Sequence, residues 1–476
     1  MPQKRSAADA APPAKQCRSE PEEMTGLMVH KRKARWLPED PIFIDAWLLH
    51  LRERAKALGD KIIQPIRDFE LLVKSNPILN QTSNDMFTES AGNHPTTPLE
   101  QPAIENFAEF LKLLNALMQT APPCYQVYTD KDHDAHFSAA GMIGFPINAL
   151  IDWPMATKSG YAFFSNSLVN QQFKRILDVW TEFVKSPASA YILTEETEKG
   201  QYGHPLLVPW LGKVAQKEVV EVAVSAKGQR KHPSDIKFED IFQCKPSEKA
   251  YGFTSWDDFF TRRFVEGFRP VAAKQNDDII INACESAPLA LESGVKKSAK
   301  FWLKKMPYSL ENMLDFEPET EQFLGGTVYQ AFLSGLSFHR WHSPVNGVMK
   351  KIKIVQGAYF LQDPRIHNDP VAPNFSQKFL SAVATRALMF IEADNPKIGL
   401  MCMIAIGMAE CSSCDVIVEE GARVSKGQEV GMFHHGGSTH CLLFRPETKL
   451  KFETYGQTFG FDSKNVAVNA HLAKVL

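Results

Sequence analysis

Two short segments carry residue types whose chemistry could act on the protein backbone itself. One reads Gly436-Gly437-Ser438-Thr439, and the other, earlier in the chain, reads Phe338-His339-Arg340-Trp341-His342-Ser343-Pro344. A serine hydroxyl can attack the carbonyl carbon of the preceding residue where the backbone bends sharply, and glycine permits such a bend. A histidine can accept the hydroxyl proton, and a carboxylate can orient that histidine. Attack by Ser438 would form an ester, and elimination from this ester would leave a pyruvoyl group at residue 438.

Each segment also has an ordinary structural interpretation. Gly-Gly-Ser-Thr is typical of a β-turn, here one that would join strands at 427–433 and 440–444. His339 and His342 lie three residues apart, a spacing that suits half of a metal site or a pair of one catalytic and one structural histidine. The two segments therefore need supporting observations elsewhere in the chain before they indicate a reaction.

The composition is that of an ordinary globular protein. The 476 residues, of which 44% are hydrophobic and 23% are charged, are enough for two or three domains with a large core. The 53 basic and 55 acidic side chains give a formal charge of −2, which argues against a general attraction to nucleic acid or anionic membranes. We therefore expect no nucleic-acid partner and no stable membrane anchoring.

The cysteines and the lack of long apolar segments predict a location. Eight cysteines spread from Cys17 to Cys441 form no disulfide framework and indicate a reducing compartment. Cys411 and Cys414 lack a second ligand pair at metal spacing, so we expect structural cysteines and no bound metal. The sequence shows no run of eighteen uncharged apolar residues and no signal peptide, which predicts a cytoplasmic protein.

Residue spacing divides the chain into three parts. Residues 1–38 are polar and charged and predict a disordered, solvated tail, with a localisation signal or a nucleic-acid-binding arm as the alternative. Residues 39–245 predict a helical N-terminal domain, although the segment 192–250 looks polar and irregular. The helical spacing is clearest in Phe173, Ile176, Leu177, Trp180 and Val184. Residues 246–476 hold short β-branched runs separated by glycine, which predict a mainly antiparallel β domain and an α+β class overall.

Four motifs in the second half occur in the order and spacing of a known family. They are Phe253-Thr-Ser-Trp-Asp-Asp-Phe-Phe-Thr-Arg-Arg263 with Arg269-Pro270, Asn282-Ala-Cys-Glu-Ser286, the histidine segment at 338–347, and Gly431-Met-Phe-His-His-Gly-Gly-Ser-Thr439. Over residues 250–470 the chain resembles the phosphatidylserine decarboxylase family. It is most similar to a soluble fungal branch that includes a pyruvoyl-dependent L-tryptophan decarboxylase and also carries a helical N-terminal extension.

The resemblance implies a role for each matching residue. Ser438 is expected to be the nucleophile and the pyruvoyl precursor, and Gly437 to supply the attacked carbonyl, so that cleavage falls between them. His342 is expected to be the general base. Glu285 stands where family members commonly hold the aspartate of the triad, with a surface carboxylate as the alternative interpretation. His339 is expected to lie near the pyruvoyl group as a proton donor or a substrate contact.

The resemblance also implies a reaction. The covalent pyruvoyl cofactor would form a Schiff base with the substrate amine and accept electrons as carbon dioxide leaves. The C-terminal chain 438–476 is expected to stay docked, with 440–444 beside 415–418 in one sheet. We expect the substrate to be a free L-amino acid, aromatic such as L-tryptophan, in secondary metabolism. A homodimer would suit the family.

Two other functions remain open. Phosphatidylserine is the alternative substrate, although access to a bilayer favours an anchor or a basic amphipathic face, and neither is evident. Residues 420–433 resemble the Val-x-Lys-Gly turn of lipoyl- and biotinyl-carrier barrels, so a non-catalytic binding protein is the second alternative. Because the decarboxylase family contains the same turn, this feature does not discriminate between the two classes.

Overall fold

The chain has the α+β class that its residue pattern predicts. The computed structural model describes residues 37–38, 41–93, 104–128, 137–194, 205–298, 308–364, 375–410, 413–435 and 438–476. Helices predominate before residue 226 and strands predominate after residue 278. The expected tail at 1–38 lies outside these residues, apart from Leu37 and Pro38.

The α-helices of the described ranges are numbered here in chain order. They are α1 (Pro41–Leu58), α2 (Gln64–Ser75), α3 (Pro77–Asn93), α4 (Phe107–Leu117), α5 (Pro146–Met155), α6 (Lys158–Phe164), α7 (Ser167–Lys185), α8 (Tyr191–Thr194), α9 (Lys213–Ser225), α10 (Phe238–Ile241), α11 (Trp256–Phe260), α12 (Leu310–Met313) and α13 (Gln377–Val383). Short 3-10 helices lie at Pro187–Ala190, Lys249–Gly252 and Pro318–Phe323.

Helix α7 shows how the local sequence forms these helices. Asn166 precedes it, and the Asn166 side-chain oxygen accepts a hydrogen bond from the backbone N–H of Leu168 at 2.9 Å, which satisfies a donor that the first turn leaves free. The apolar residues recur on one face and are all buried, as predicted: Phe173, Ile176, Leu177, Trp180 and Val184. The opposite face carries charged side chains such as Lys174 and Asp178.

The strands of the described residues form four sheets, each internally antiparallel. They are β1 (Cys124–Tyr128), β2 (Phe137–Met142), β3 (Pro205–Val208), β4 (Ile279–Ile281), β5 (Ala287–Ser293), β6 (Thr327–Leu333), β7 (Arg340–His342), β8 (Gly347–Val355), β9 (Arg386–Ala393), β10 (Leu400–Gly407), β11 (Ser413–Val416), β12 (Arg423–Val424), β13 (Glu429–His434), β14 (Ser438–Phe444), β15 (Leu450–Phe452) and β16 (His471–Val475). The large sheet has the order β12-β8-β9-β10-β14-β6-β5. The smaller sheets are β2-β1-β3, β11-β13-β7 and β15-β16-β4.

The expectation of an irregular segment at 192–250 is wrong. This segment contains strand β3 and the 13-residue helix α9. The buried face of α9 consists of Ala215, Val219 and Ala223, which are small and spaced four residues apart among charged neighbours. So narrow an apolar stripe is a weak signal in the sequence, although it is enough to dock a helix once a neighbouring surface is present.

The central strands of the large sheet are buried on both faces. Along β10, the side chains of Cys402, Ile404 and Ile406 pack into a cluster that includes the N-terminal helices. The alternating residues Met401 and Met403 pack into a second cluster, which the small sheets share. Because successive side chains of a strand point to opposite faces, burial on both sides explains the uninterrupted apolar sequence of β10. The helical region therefore covers one face of the large sheet directly.

Strands β13 and β14 do not pair with each other as a hairpin would. Strand β13 pairs with β11 and β7, whereas β14 lies between β10 and β6 in the large sheet. The expectation of 440–444 beside 415–418 is wrong for the same reason, because those segments belong to different sheets. An alternating or apolar pattern identifies a strand but does not name its partner, which depends on the path of the whole chain.

Candidate active site

Ser438 begins strand β14 in the interior of the large sheet. It pairs with Leu333 on β6 and with Gly407 at the end of β10. Its side chain is 1% exposed. Within the described part of the chain, its Oγ has no hydrogen-bond partner. A buried hydroxyl without a partner costs about 1–3 kcal/mol, so such an atom needs a physical explanation, and a role in catalysis is one. Gly437, the expected source of the attacked carbonyl, lies outside the described residues.

His342 is the last residue of β7, and its ring is held in one tautomer. Its Nδ1 lies 2.8 Å from the carbonyl oxygen of Gly427, which places the hydrogen on Nδ1 because a carbonyl can only accept. Nε2 therefore carries a lone pair, and among the residues described it is buried without a partner. Burial lowers the pKa of His342 below 6.5, against the opposing effects of the Gly427 bond, Glu429 and Glu285. A neutral imidazole with an available lone pair meets the requirement for a general base.

Glu285 is buried in an ion pair and is not a surface carboxylate. Arg269 donates to both of its oxygens, with Nη2 at 2.5 Å from Oε1 and Nε at 3.0 Å from Oε2. The backbone N–H of Val468 also donates to Oε2, at 2.8 Å. No hydrogen bond joins Glu285 to His342 in the described structure, since Gly427 takes the Nδ1 hydrogen. Glu285 therefore acts on His342 through its charge, which raises the pKa of the imidazole.

His339 precedes β7 and is fully buried. Its ring stacks on Phe260 with ring centres 4.1 Å apart and an angle of 23° between the planes. Burial, followed by the positive charge of Arg262, lowers the pKa of His339 well below its ordinary value. Arg262 is buried too, and its Nη2 donates to the carbonyl oxygen of Leu336 at 2.7 Å. A neutral, immobilised imidazole of this kind can donate an N–H hydrogen bond to a ligand.

Backbone hydrogen bonds connect the segments that hold three of the predicted site residues, Glu285, His339 and His342. The N–H of His342 donates to the carbonyl oxygen of Ala283 at 2.8 Å, which joins β7 to the segment that holds Glu285. The N–H of Phe433 donates to the carbonyl oxygen of His339 at 3.0 Å, so the histidine segment runs beside β13. Strand β13 leads through residues 435–437 to Ser438. In the described ranges no hydrogen bond joins Ser438 to either histidine.

Three further groups near this site were not assigned from the sequence. Arg269 lies within a recognised motif, but only the structure shows that it binds Glu285. His435 is buried, and its burial lowers its pKa to about 3. Glu410 is buried, and its burial raises its pKa to about 8. His435 could have been noticed because it stands next to the glycine pair, whereas nothing in the local sequence marks Glu410.

The described ranges contain neither a membrane-spanning helix nor a cluster of metal ligands. No helix there is long and apolar enough to cross a lipid bilayer. No group of three or more His, Cys, Asp and Glu side chains in those ranges could hold a metal ion. His434, the neighbour of His435, instead binds two carboxylates: its Nδ1 lies 2.9 Å from Asp257 Oδ1 and its Nε2 lies 3.2 Å from Asp415 Oδ2.

The sequence matches known protein families over most of its length. Residues 63–219 and residues 256–459 each match a family model described as phosphatidylserine decarboxylase. The first match covers most of the helical region, and the second covers the sheets that hold Glu285, His342 and Ser438. The fold and the two family matches thus define a decarboxylase of this type.

Three fungal relatives match over three quarters or more of this chain. Decarboxylase iboD of Amanita muscaria (strain Koide BX008) is 38% identical over 75% of this chain and 97% of its own length. The L-tryptophan decarboxylase of Psilocybe cubensis is 33% identical over 82% of each chain. The L-tryptophan decarboxylase of Psilocybe cyanescens is 32% identical over 88% of this chain and 90% of its own. This protein belongs to the phosphatidylserine decarboxylase family and is a carboxy-lyase.

Proposed function

We propose that the protein cleaves its own backbone between Gly437 and Ser438 and then decarboxylates a free aromatic L-amino acid, L-tryptophan or a related one. The observation that carries the proposal is the buried, unpartnered hydroxyl of Ser438 at the start of β14. Similarity to two L-tryptophan decarboxylases over 82% and 90% of their lengths supports the choice of substrate. Cytoplasmic secondary metabolism is the proposed setting.

Backbone cleavage begins with the transfer of a proton from Ser438 Oγ to Nε2 of His342. The charge of Glu285 stabilises the imidazolium that forms. A bond forms between Oγ and the carbonyl carbon of Gly437, the C–N bond between the two residues breaks, and the proton passes to the released nitrogen. Loss of the α-hydrogen of residue 438 as a proton expels the ester carboxylate. Water then replaces the nitrogen, which leaves as ammonia, and residue 438 ends as a pyruvoyl group.

The residues around Ser438 fit such a group. A pyruvoyl group supplies an electron sink for the electrons that remain when carbon dioxide leaves. Its position at the start of a fully paired, buried strand keeps it fixed and shielded from water. The neutral ring of His339 is immobilised by Phe260 and is assigned as a substrate contact.

The C-terminal chain 438–476 is expected to stay bound after cleavage. Strand β14 pairs along its 7 residues with β10 on one side and β6 on the other, and every one of these residues is buried. Strand β16 adds pairs with β4, which belongs to the longer chain. Breaking the chain before Ser438 removes none of these contacts.

Phosphatidylserine is the competing substrate, and the names of both matching family models favour it. A free amino acid is preferred because the matched L-tryptophan decarboxylases cover 82% and 88% of this chain. The non-catalytic carrier alternative is set aside, since the chain belongs to a family of decarboxylases.

Intact mass spectrometry and a substrate panel test the proposal. We expect the parent protein to yield chains 1–437 and 438–476, the second with a pyruvoyl-blocked terminus, and the Ser438→Ala variant to yield one chain. Ser425→Ala, at an exposed serine, is the matched control and should be cleaved like the parent. The purified parent should release carbon dioxide from L-tryptophan or another aromatic amino acid. Release from phosphatidylserine vesicles alone would overturn the substrate assignment, and a single chain of 53.5 kDa would overturn self-cleavage.

A further inference from the structure

Two chain segments lie next to the proposed cleavage site between Gly437 and Ser438. Gly407 is the last residue of β10 and pairs with Ser438, so Met408, Ala409 and Glu410 continue from one strand beyond this pair. His435 stands directly before the glycine pair 436–437 in the chain, three residues ahead of Ser438. We call Met408–Glu410 and His434–His435 the two arms of the cleavage site. Both arms contact helices of the N-terminal region.

The first arm is held by the beginning of helix α5. Oε1 of Glu410 accepts hydrogen bonds from the backbone N–H of Ile147 and from that of Asn148, the latter at 2.8 Å. These donors are free because they belong to the first turn of the helix, where the partial positive charge of the helix dipole also lies. Glu410 is 1% exposed, and its second oxygen, Oε2, is buried without a partner among the described residues.

The second arm is held by helix α7. Nε2 of His435 lies 3.0 Å from Thr181 Oγ1. The single hydroxyl hydrogen of Thr181 is donated to the carbonyl oxygen of Leu177 at 2.7 Å, so Thr181 accepts and His435 donates from Nε2. The His435 ring also packs against Trp180, with ring centres 4.7 Å apart at an angle of 61°. His435 is 1% exposed, so these contacts are shielded from water.

Both arms include a backbone conformation that is unfavourable for a residue with a side chain. Ala409 has a φ of 51° and His435 has a φ of 29°, in the left-handed region that favours glycine. Such conformations persist when surrounding contacts impose them. Here the imposing contacts come from α5 and α7, whose own apolar faces are buried in the main core.

We propose that the helical N-terminal region positions the cleavage site, with Glu410 and Thr181 as the positioning residues for self-cleavage. This inference rests on the proposed self-cleavage. Attack by Ser438 Oγ requires the neighbouring carbonyl carbon at a fixed distance and angle, and a misplacement of about 1 Å can lower a rate by about 100-fold. Helix α7 holds the segment that precedes the glycine pair. Helix α5 holds the segment that follows Gly407, the strand partner of Ser438.

The rate of maturation in cell-free translation of the full chain tests this role. Thr181→Val keeps the shape of the side chain but cannot accept the hydrogen bond from His435, so we expect cleavage to slow by at least about 10-fold. Thr181→Ser keeps the hydroxyl and should restore the parental rate. The matched control is Thr82→Val, because Thr82 is also a half-buried helical threonine whose hydroxyl donates to the carbonyl four residues earlier, Ile78, at 2.8 Å. This control should mature at the parental rate.

A second pair of variants tests the other arm. Glu410→Gln keeps an oxygen that accepts from Ile147 and Asn148 and should mature within about 3-fold of the parent, whereas Glu410→Leu loses the acceptor and should mature at least about 10-fold more slowly. Thermal unfolding of each variant in a Ser438→Ala background shows which of them are folded at the assay temperature. If folded Thr181→Val and Glu410→Leu mature at the parental rate, the helices do not position the site. A parent that stays uncleaved would instead overturn the proposed self-cleavage.

Discussion

Arg269 and Glu285 form a buried ion pair in which the guanidinium contacts both carboxylate oxygens. Their side chains are 3% and 1% exposed, and the two contacts measure 2.5 Å and 3.0 Å. The Arg269 guanidinium also packs over the rings of Phe264 and Phe268. The guanidinium of Arg269 therefore holds Glu285, the residue that stands where family members commonly have the aspartate of the triad. From this fixed position the charge of Glu285 acts on His342.

Removal of the negative charge of Glu285 should destabilise the folded protein strongly. In the Ser438→Ala background, where the chain stays intact, we expect Glu285→Gln to lower the free energy of unfolding by about 3 kcal/mol, because it leaves Arg269 buried without its counterion. The exposed pair Lys174–Asp178 provides the control. Asp178→Asn should cost no more than about 0.5 kcal/mol. Denaturant unfolding measures both, and equal losses would show that the buried pair contributes no more than an exposed one.

Substitution of His342 should block self-cleavage without unfolding the protein. We expect His342→Gln to accumulate as one intact chain, because its side-chain nitrogen cannot accept the Ser438 proton. A denaturing gel of freshly translated protein follows the reaction, and His50→Gln at a distant histidine is the control. Cleavage of His342→Gln at the parental rate would show that another residue is the general base.

The pH dependence of self-cleavage should reflect the lowered pKa of His342. Burial favours the neutral imidazole, so the base stays available below 6.5, where an ordinary histidine becomes protonated. We expect the cleavage rate to be flat above pH 6.5 and to fall only as the pH decreases through the lowered pKa. Newly translated precursor diluted into buffers of different pH provides the measurement. A rate that already declines between pH 8 and pH 7 would contradict this assignment.

Glu410 should make stability fall as the pH rises. Its pKa is about 8 in the folded protein against 4.5 as the ordinary value, since burial outweighs its hydrogen bonds from the α5 backbone. Between these two values the folded state holds the proton more tightly than the unfolded state, so the stabilisation is complete below 4.5 and is lost as the pH rises through 8. We expect the unfolding free energy of the parent to fall relative to Glu410→Gln by several kcal/mol over this range. Parallel pH profiles for the two proteins would show that Glu410 does not bind a proton on folding.

The cleaved C-terminal chain should remain bound until the protein unfolds. We expect chains 1–437 and 438–476 to elute together in size-exclusion chromatography and to separate only in denaturant. The reason is that β14 lies between two strands of the large sheet and is buried throughout. Release of the short chain in native buffer would contradict this arrangement.

Local patterns in the sequence were enough to predict many helices and strands of this protein and the family to which it belongs. The three- and four-residue spacing of apolar residues predicted α7, and the β-branched runs of residues 246–476 predicted the strands found there, among them β8 and β10. The order of the motifs was enough to identify the family. Ser438, His342 and Glu285 each stand within a segment whose residue types are distinctive. These features depend on residues that are near one another along the chain.

Only the tertiary structure shows which residues distant in the sequence are in contact. In it, β13 and β14 belong to different sheets, and Arg269 forms an ion pair with Glu285. Glu410 accepts a hydrogen bond at the start of α5 from Asn148, 262 residues away in the sequence. Such contacts arise because a folded chain buries its apolar faces together and must then find partners for the polar groups enclosed with them. A sequence pattern shows that a carboxylate is present, but the enclosing elements determine what it binds.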